Sequence, residues 1–187
     1  MGTSSKALAQ KLKNVAASQH GCFTAAQAIE VGYADSVHLY HVKTGSWVRL
    51  FWGVYRFSDL PETPAARCMA ALLWSRDKTG KVLGILSAET ASLLQADCLT
   101  SSMPVQICVP KGFRRTSATP KGIVVFIMDT KALKTSKIKK MPAQPFKPKK
   151  KETPEKAGTA AAGRMESGMD IADYYDLLDY QAVKQTD

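Results

Sequence analysis

Between Gly21 and Phe57 (GCFTAAQAIEVGYADSVHLYHVKTGSWVRLFWGVYRF) the apolar positions follow a helical period twice and then a strand period. Ala25, Ala28 and Ile29 recur at helical spacing behind Thr24, whose hydroxyl can cap the first turn, and Gly32 supplies the stop. A second helix opens near Asp35 or Ser36 with Leu39 and Val42 as its inward stripe. That phase turns Ser36, His38, Tyr40, His41 and Lys43 outward until Gly45 ends the helix. Segments 47–50 and 54–57 are rich in β-branched and aromatic residues, and Phe51-Trp52-Gly53 between them reads as a hairpin turn with glycine where positive φ is needed. Two short helices followed by a tight hairpin is the order of a winged helix-turn-helix, so the pattern raises the expectation of DNA binding.

A second unit follows. Thr63 and Pro64 suit an N-cap and first helical position, and Ala66, Met69, Ala70, Leu73 and Trp74 form an apolar stripe behind them. Segment 81–86 reads as a short buried strand, Ser87 caps a helix to about Gln95, and 105–109 and 123–128 read as strands. The expected fold class is α+β: a winged helix-turn-helix over 1–60, a small α/β unit over 61–133, a basic Pro/Lys-rich flexible linker over 134–166 and an acidic amphipathic helix over 167–187.

Charge sharpens this division. The net charge of +10 is distributed as +3 over 1–60, +4 over 61–133, +8 over 134–151 and −5 over 152–187. Pro142, Pro145 and Pro148 among the lysines of 134–151 oppose a helix and favour extended, solvated chain that attracts phosphate. Near Ser167 the pattern turns helical, with Ile171, Tyr174, Tyr175 and Leu178 on one face and Asp170 and Asp173 on another. Three accounts of that helix stand: packing on its own domain, docking on a partner chain, or folding over the basic surface in competition with phosphate.

Candidate DNA contacts are Ser36, His38, Tyr40, His41 and Lys43 on the second helix, which can reach base edges or phosphates. Only Lys43 among them carries a full positive charge, and both histidines also suit an ordinary surface. Arg49 and Arg56 flank the wing and suit phosphate or minor-groove contacts, while cross-strand pairing would equally explain them. Trp52 at the tip can meet sugars and base edges or be buried. Arg114 and Arg115, in a loop over 110–122 that holds no acidic residue, can touch the DNA backbone, although a solvated loop is the commoner meaning.

Catalysis finds no support in the motifs. The chain contains no Walker or dinucleotide glycine loop and no Gly-x-Ser-x-Gly elbow, and His38 and His41 have only Asp35 nearby to complete a metal set. No enzyme activity, metal or cofactor is expected. Cys22, Cys68, Cys98 and Cys108 stand too far apart for a zinc or disulfide framework and are expected to be buried thiols. No apolar run reaches membrane-spanning or signal-peptide length, which makes a cytoplasmic location the expectation.

The spacing of Gly21, Phe23, Thr24, Gln27, Ala28, Gly32, Leu39, Val42, Gly45, Arg49 and Gly53-Val54-Tyr55-Arg56 resembles the N-terminal domain of the AbiEi antitoxins, the regulatory half of bacterial AbiE abortive-infection toxin–antitoxin pairs. The likeness continues through the helix from Pro64 to Arg76 and the stretch 82–88, roughly the first two-thirds of the chain. It implies a repressor that binds double-stranded operator DNA at its own operon and opposes a nucleotidyltransferase-type toxin encoded beside it. The family continues into a larger C-terminal domain, whereas this chain continues into the lysine-rich arm and acidic helix. Those two segments suggest the alternative of an interaction module that docks a partner protein.

Overall fold

The computed structural model describes residues 5–115, 118–129 and 135–146. By its contacts the chain divides into Met1–Lys151 and Glu152–Asp187. The expected linker beyond residue 146 and the helix over 167–187 lie outside the described residues. The fold is mixed α+β, in the order α1 Ser5–Ala17, β1 Cys22–Thr24, α2 Ala25–Val31, a 3-10 turn Asp35–Val37, α3 His38–Lys43, β2 Trp47–Phe51, β3 Val54–Phe57 and α4 Pro64–Trp74. There follow β4 Ile85–Leu86, α5 Ala88–Gln95, β5 Val105–Pro110, β6 Ile123–Met128, β7 Ser136–Ile138 and β8 Met141–Ala143.

The first sheet has the order β1-β3-β2, all antiparallel. Thr24 leads from β1 into α2 through a reciprocal cap. Its hydroxyl accepts from the Gln27 backbone N–H at 3.2 Å, and the Gln27 side-chain carbonyl accepts from the Thr24 N–H at 2.9 Å. Helix α1 has no counterpart among the expected elements. Leu8, Leu12 and Ala16 recur every four residues, so one stripe faces inward; Leu12 and Ala16 are fully buried with Phe23, Ala28, Trp47, Tyr55 and Phe57.

The sequence PAARCMAALLW of α4 is apolar all round, and the whole helix is buried apart from Arg67 and its first residue. It starts where the Thr63 hydroxyl accepts from the Ala66 N–H at 3.1 Å. The helix lies against β1, β2 and β3 on one side and β4 and β5 on the other. One apolar cluster therefore joins Cys22 and Val54 to Leu72, Leu86, Ile107 and Val109, and it runs unbroken across residue 60.

The second sheet has the order β6-β5-β4-β8-β7, with β5/β6 and β4/β8 parallel and the other pairs antiparallel. Strands β7 and β8 come from the lysine-rich stretch expected to be solvated linker from residue 134, and that expectation is corrected over 136–143. Ile138, Met141 and Ala143 are buried in the main cluster. Lys139 and Lys140 form the turn with φ of 45° and 67°, and Lys139 Nζ reaches Asp97 Oδ1 at 3.1 Å. Three apolar side chains suffice to seat a hairpin on a sheet that already exists, because the lysines occupy its turn and open side.

All four cysteines are free thiols. Cys22, Cys68 and Cys108 are buried as expected, and burial pushes the Cys22 and Cys68 thiols up to about 12. Cys98 is exposed, which corrects the expectation of a fourth buried thiol. No helix among the described residues is long and apolar enough to cross a membrane.

Ser75 and Gly84 meet with no room to spare. The buried Ser75 hydroxyl donates to Leu72 O at 2.7 Å and accepts from the Gly84 N–H at 2.9 Å, and a Cβ on Gly84 would lie 2.6 Å from that oxygen. Gly84→Ala is expected to cost about 1–3 kcal/mol through overpacking and loss of this bond. A urea midpoint unchanged from wild type would refute the close approach.

Candidate nucleic-acid interface

Trp47, 2% exposed, is the platform on which the second helix sits. The His41 ring stacks on it at 4.5 Å and 22°, while Phe23 and Tyr33 meet it edge-on at 4.9 and 5.2 Å. His38 fills the wedge between Trp47 and Tyr55, with centroids at 5.6 and 5.8 Å, and is itself 5% exposed. Its Nδ1 lies 3.4 Å from Asp35 Oδ1.

This packing corrects the phase expected for α3. His38 and His41 point inward with Val37 and Val42, whereas Leu39 and Tyr40 are each 64% exposed. The outward stripe is Ser36, Leu39, Tyr40 and Lys43, at spacings of three, four and seven residues from Ser36. The reason is aromatic. With one indole forming the floor, two imidazoles three residues apart fill the wedge with flat rings, and burying them turns Leu39 to solvent.

The hairpin register carries the site onward. Trp47 opposes Phe57 and Arg49 opposes Tyr55, so Arg49 shares the sheet face on which α3 sits, about 7 Å along the strand from Trp47. A bulge between Arg49 and Phe51 leads into the turn, where Gly53 takes φ of +69°. Trp52 is 72% exposed, and the Arg49 guanidinium lies over its ring at 4.3 Å. Of the two placements weighed for Trp52, the structure adopts the exposed one.

Arg56 does not join this surface. It is 7% exposed, donates from Nη1 to Phe57 O at 3.2 Å and to Leu60 O, and places Nη2 4.0 Å from Glu62. A side chain spent on two carbonyls clips the hairpin to the segment that enters α4. The outward placement expected of His38 and His41 is therefore corrected, and Arg56 is buried rather than exposed at the flank of the wing.

A second basic surface adjoins the hairpin tip. Arg76 donates from Nη2 to Gly53 O at 3.0 Å and from Nη1 to Leu73 O at 2.7 Å, so it ties the turn to the end of α4. Beside it a cleft of about 420 Å³ is lined by Arg76, Asp77, Lys78, Lys111, Phe113 and Arg114. Arg114 is exposed, whereas Arg115 lies half-buried over the Trp74 ring at 5.4 Å. Burial lowers the pKa of both Arg76 and Arg115, and for Arg76 the charge of Arg115 adds to the effect. Arg76, Arg114, Lys78 and Lys111 against Asp77 leave the cleft wall with an excess of positive charge, which favours anions.

Burial holds the His41 imidazole below its ordinary 6.5, and His38 beside it adds to the shift. The folded chain then binds fewer protons than the unfolded one near that pH, so this contribution is complete above pH 6.5 and is lost as pH falls below it. The His41→Phe variant, which keeps the stack and cannot titrate, should gain stability relative to wild type between about pH 7.5 and about pH 5.5. Parallel melting curves at the two pH values would rule out the burial.

Comparison with protein-family models finds no match, and no curated protein matches the sequence.

Proposed function

We propose that the chain is a sequence-specific DNA-binding repressor of winged helix-turn-helix architecture, with α2 and α3 as the helix pair and the β2–β3 hairpin as the wing. The observation that carries this reading is the outward stripe of Ser36 in the 3-10 turn and Leu39, Tyr40 and Lys43 on α3, with Arg49 on the sheet face that α3 covers and exposed Trp52 beside it. A six-residue helix is about 9 Å long, which suits insertion of its first turns into a major groove. Arg49, Lys43 and the Arg76–Arg114 cleft supply cations for the flanking phosphates. The resemblance to the AbiEi antitoxins extends the reading to autoregulation of a toxin–antitoxin operon, with a nucleotidyltransferase-type toxin as the second partner.

A gel shift of the full chain on DNA from upstream of its own reading frame, against a scrambled duplex of equal composition, tests the reading. Preferential retention of the upstream duplex is expected. Equal retention of both duplexes overturns a sequence-specific role.

A further inference from the structure

Leu39 and Tyr40 stand at the centre of the outward face of α3, each 64% exposed, with Ser36 before them and Lys43 after. A helix that needed only solubility would carry polar groups at these two positions, since the inward face is already filled by His38, His41 and Val42. The apolar pair is narrow. It is bounded by Asp35 and Ser36 in the 3-10 turn that precedes α3 and by Lys43 on the helix itself, and Arg49 lies on the neighbouring strand. Interface cores between proteins are depleted in charge, whereas a small apolar spot with Lys43 and Arg49 at its far end complements a major groove, where thymine alone presents a methyl group between flanking phosphates.

We propose that Leu39 reads the C5-methyl group of thymine, assisted by the ring of Tyr40, so that the preferred site carries thymine at the step facing the middle of α3. The inference rests on the DNA-binding reading above and deepens it from a binding surface to a base preference. Lys43 and Arg49 hold the backbone and set the register, Ser36 serves a neighbouring base edge, and Leu39 supplies discrimination by burying a methyl that only one base offers. Leu39 makes no hydrogen bond, so its contribution depends on that methyl alone.

The test begins with duplexes selected from a random pool by the full chain. The enriched duplex is then prepared twice, once with thymine and once with deoxyuridine, which lacks the methyl and keeps every hydrogen-bonding group. At one fixed salt concentration wild type is expected to bind the thymine duplex about threefold to tenfold more tightly. Leu39→Ala is expected to bind both alike, near the level of wild type on the deoxyuridine duplex. Leu39 is 64% exposed, so the variant is expected to fold; a melting temperature equal to wild type checks it. Equal wild-type affinity for the two duplexes overturns the methyl readout while leaving sequence-specific binding intact. Full thymine preference in Leu39→Ala overturns the assignment to this residue. A Leu39→Ala change in molecular mass without a change in base preference identifies the patch as a contact between copies and overturns the inference. Failure to enrich any sequence overturns the DNA-binding reading itself.

Discussion

Replacing Trp47 by alanine is expected to lower the unfolding free energy by about 3–5 kcal/mol, the range for truncating a large buried aromatic. The side chain is 2% exposed and meets Phe23, Tyr33, His38 and His41 at centroid distances of 4.5–5.6 Å. Its loss leaves a cavity that two imidazoles border, and water entering there would solvate them and release α3 from the sheet. If the chain binds DNA as proposed, the same variant should lose that binding even at temperatures where α4 and the five-stranded sheet remain folded. Chemical denaturation followed by far-ultraviolet circular dichroism gives the first effect, and binding below the transition gives the second. A loss of less than about 1 kcal/mol would mean that the aromatic platform is not what seats the helix.

The second large effect concerns charge. Lys43 and Arg49 are exposed and belong to adjacent elements, α3 and β2. If each neutralises one phosphate, the Lys43→Ala, Arg49→Ala double variant should reduce the slope of log K against log salt by about 2 and weaken binding at low salt by about tenfold to a hundredfold. Folding stability should change little, because both residues are solvated. Arg56→Ala is the contrasting control. Its guanidinium serves Phe57 O and Leu60 O, so its removal should cost about 1–3 kcal/mol of stability and leave the salt slope unchanged. An unaltered slope in the double variant would place the phosphate contacts elsewhere, and the cleft of Arg76, Lys111 and Arg114 would be the next surface to neutralise.

Much of the fold was legible in local signals. The caps at Thr24, Thr63 and Ser87 are formed by hydroxyls that accept from an N–H three residues on, a bond whose two ends lie within one turn of chain. The glycine of the hairpin turn is local in the same sense. Arg49 and Trp52 were singled out for the same reason, since their neighbours in sequence are also their neighbours in the hairpin.

What escaped local reading depended on partners distant in sequence. A helix as short as α3 offers two apolar residues, Leu39 and Val42, and two imidazoles offset from them, so its own pattern suits either phase. Only Trp47 and Tyr55, brought underneath by the β2–β3 register, decide that His38 and His41 face inward and Leu39 outward. Strands β7 and β8 are ordered because β4 presents an open edge to residues almost sixty positions away, with Leu86 opposite Ala143. Arg56 and Arg49 have the same side-chain chemistry and opposite fates, because Val48 and Arg56 share one face of the hairpin while Arg49 and Tyr55 share the other. Sequence by itself determined the capped helices α2, α4 and α5 and the turn that joins the two hairpin strands, since those rest on bonds between near neighbours, whereas α1, β7 and β8 took their order from the surfaces they cover. Tertiary packing alone decided which face of α3 meets solvent and which arginines remain free to meet an anion, because burial is a property of the surfaces that come together and not of the segment that carries them.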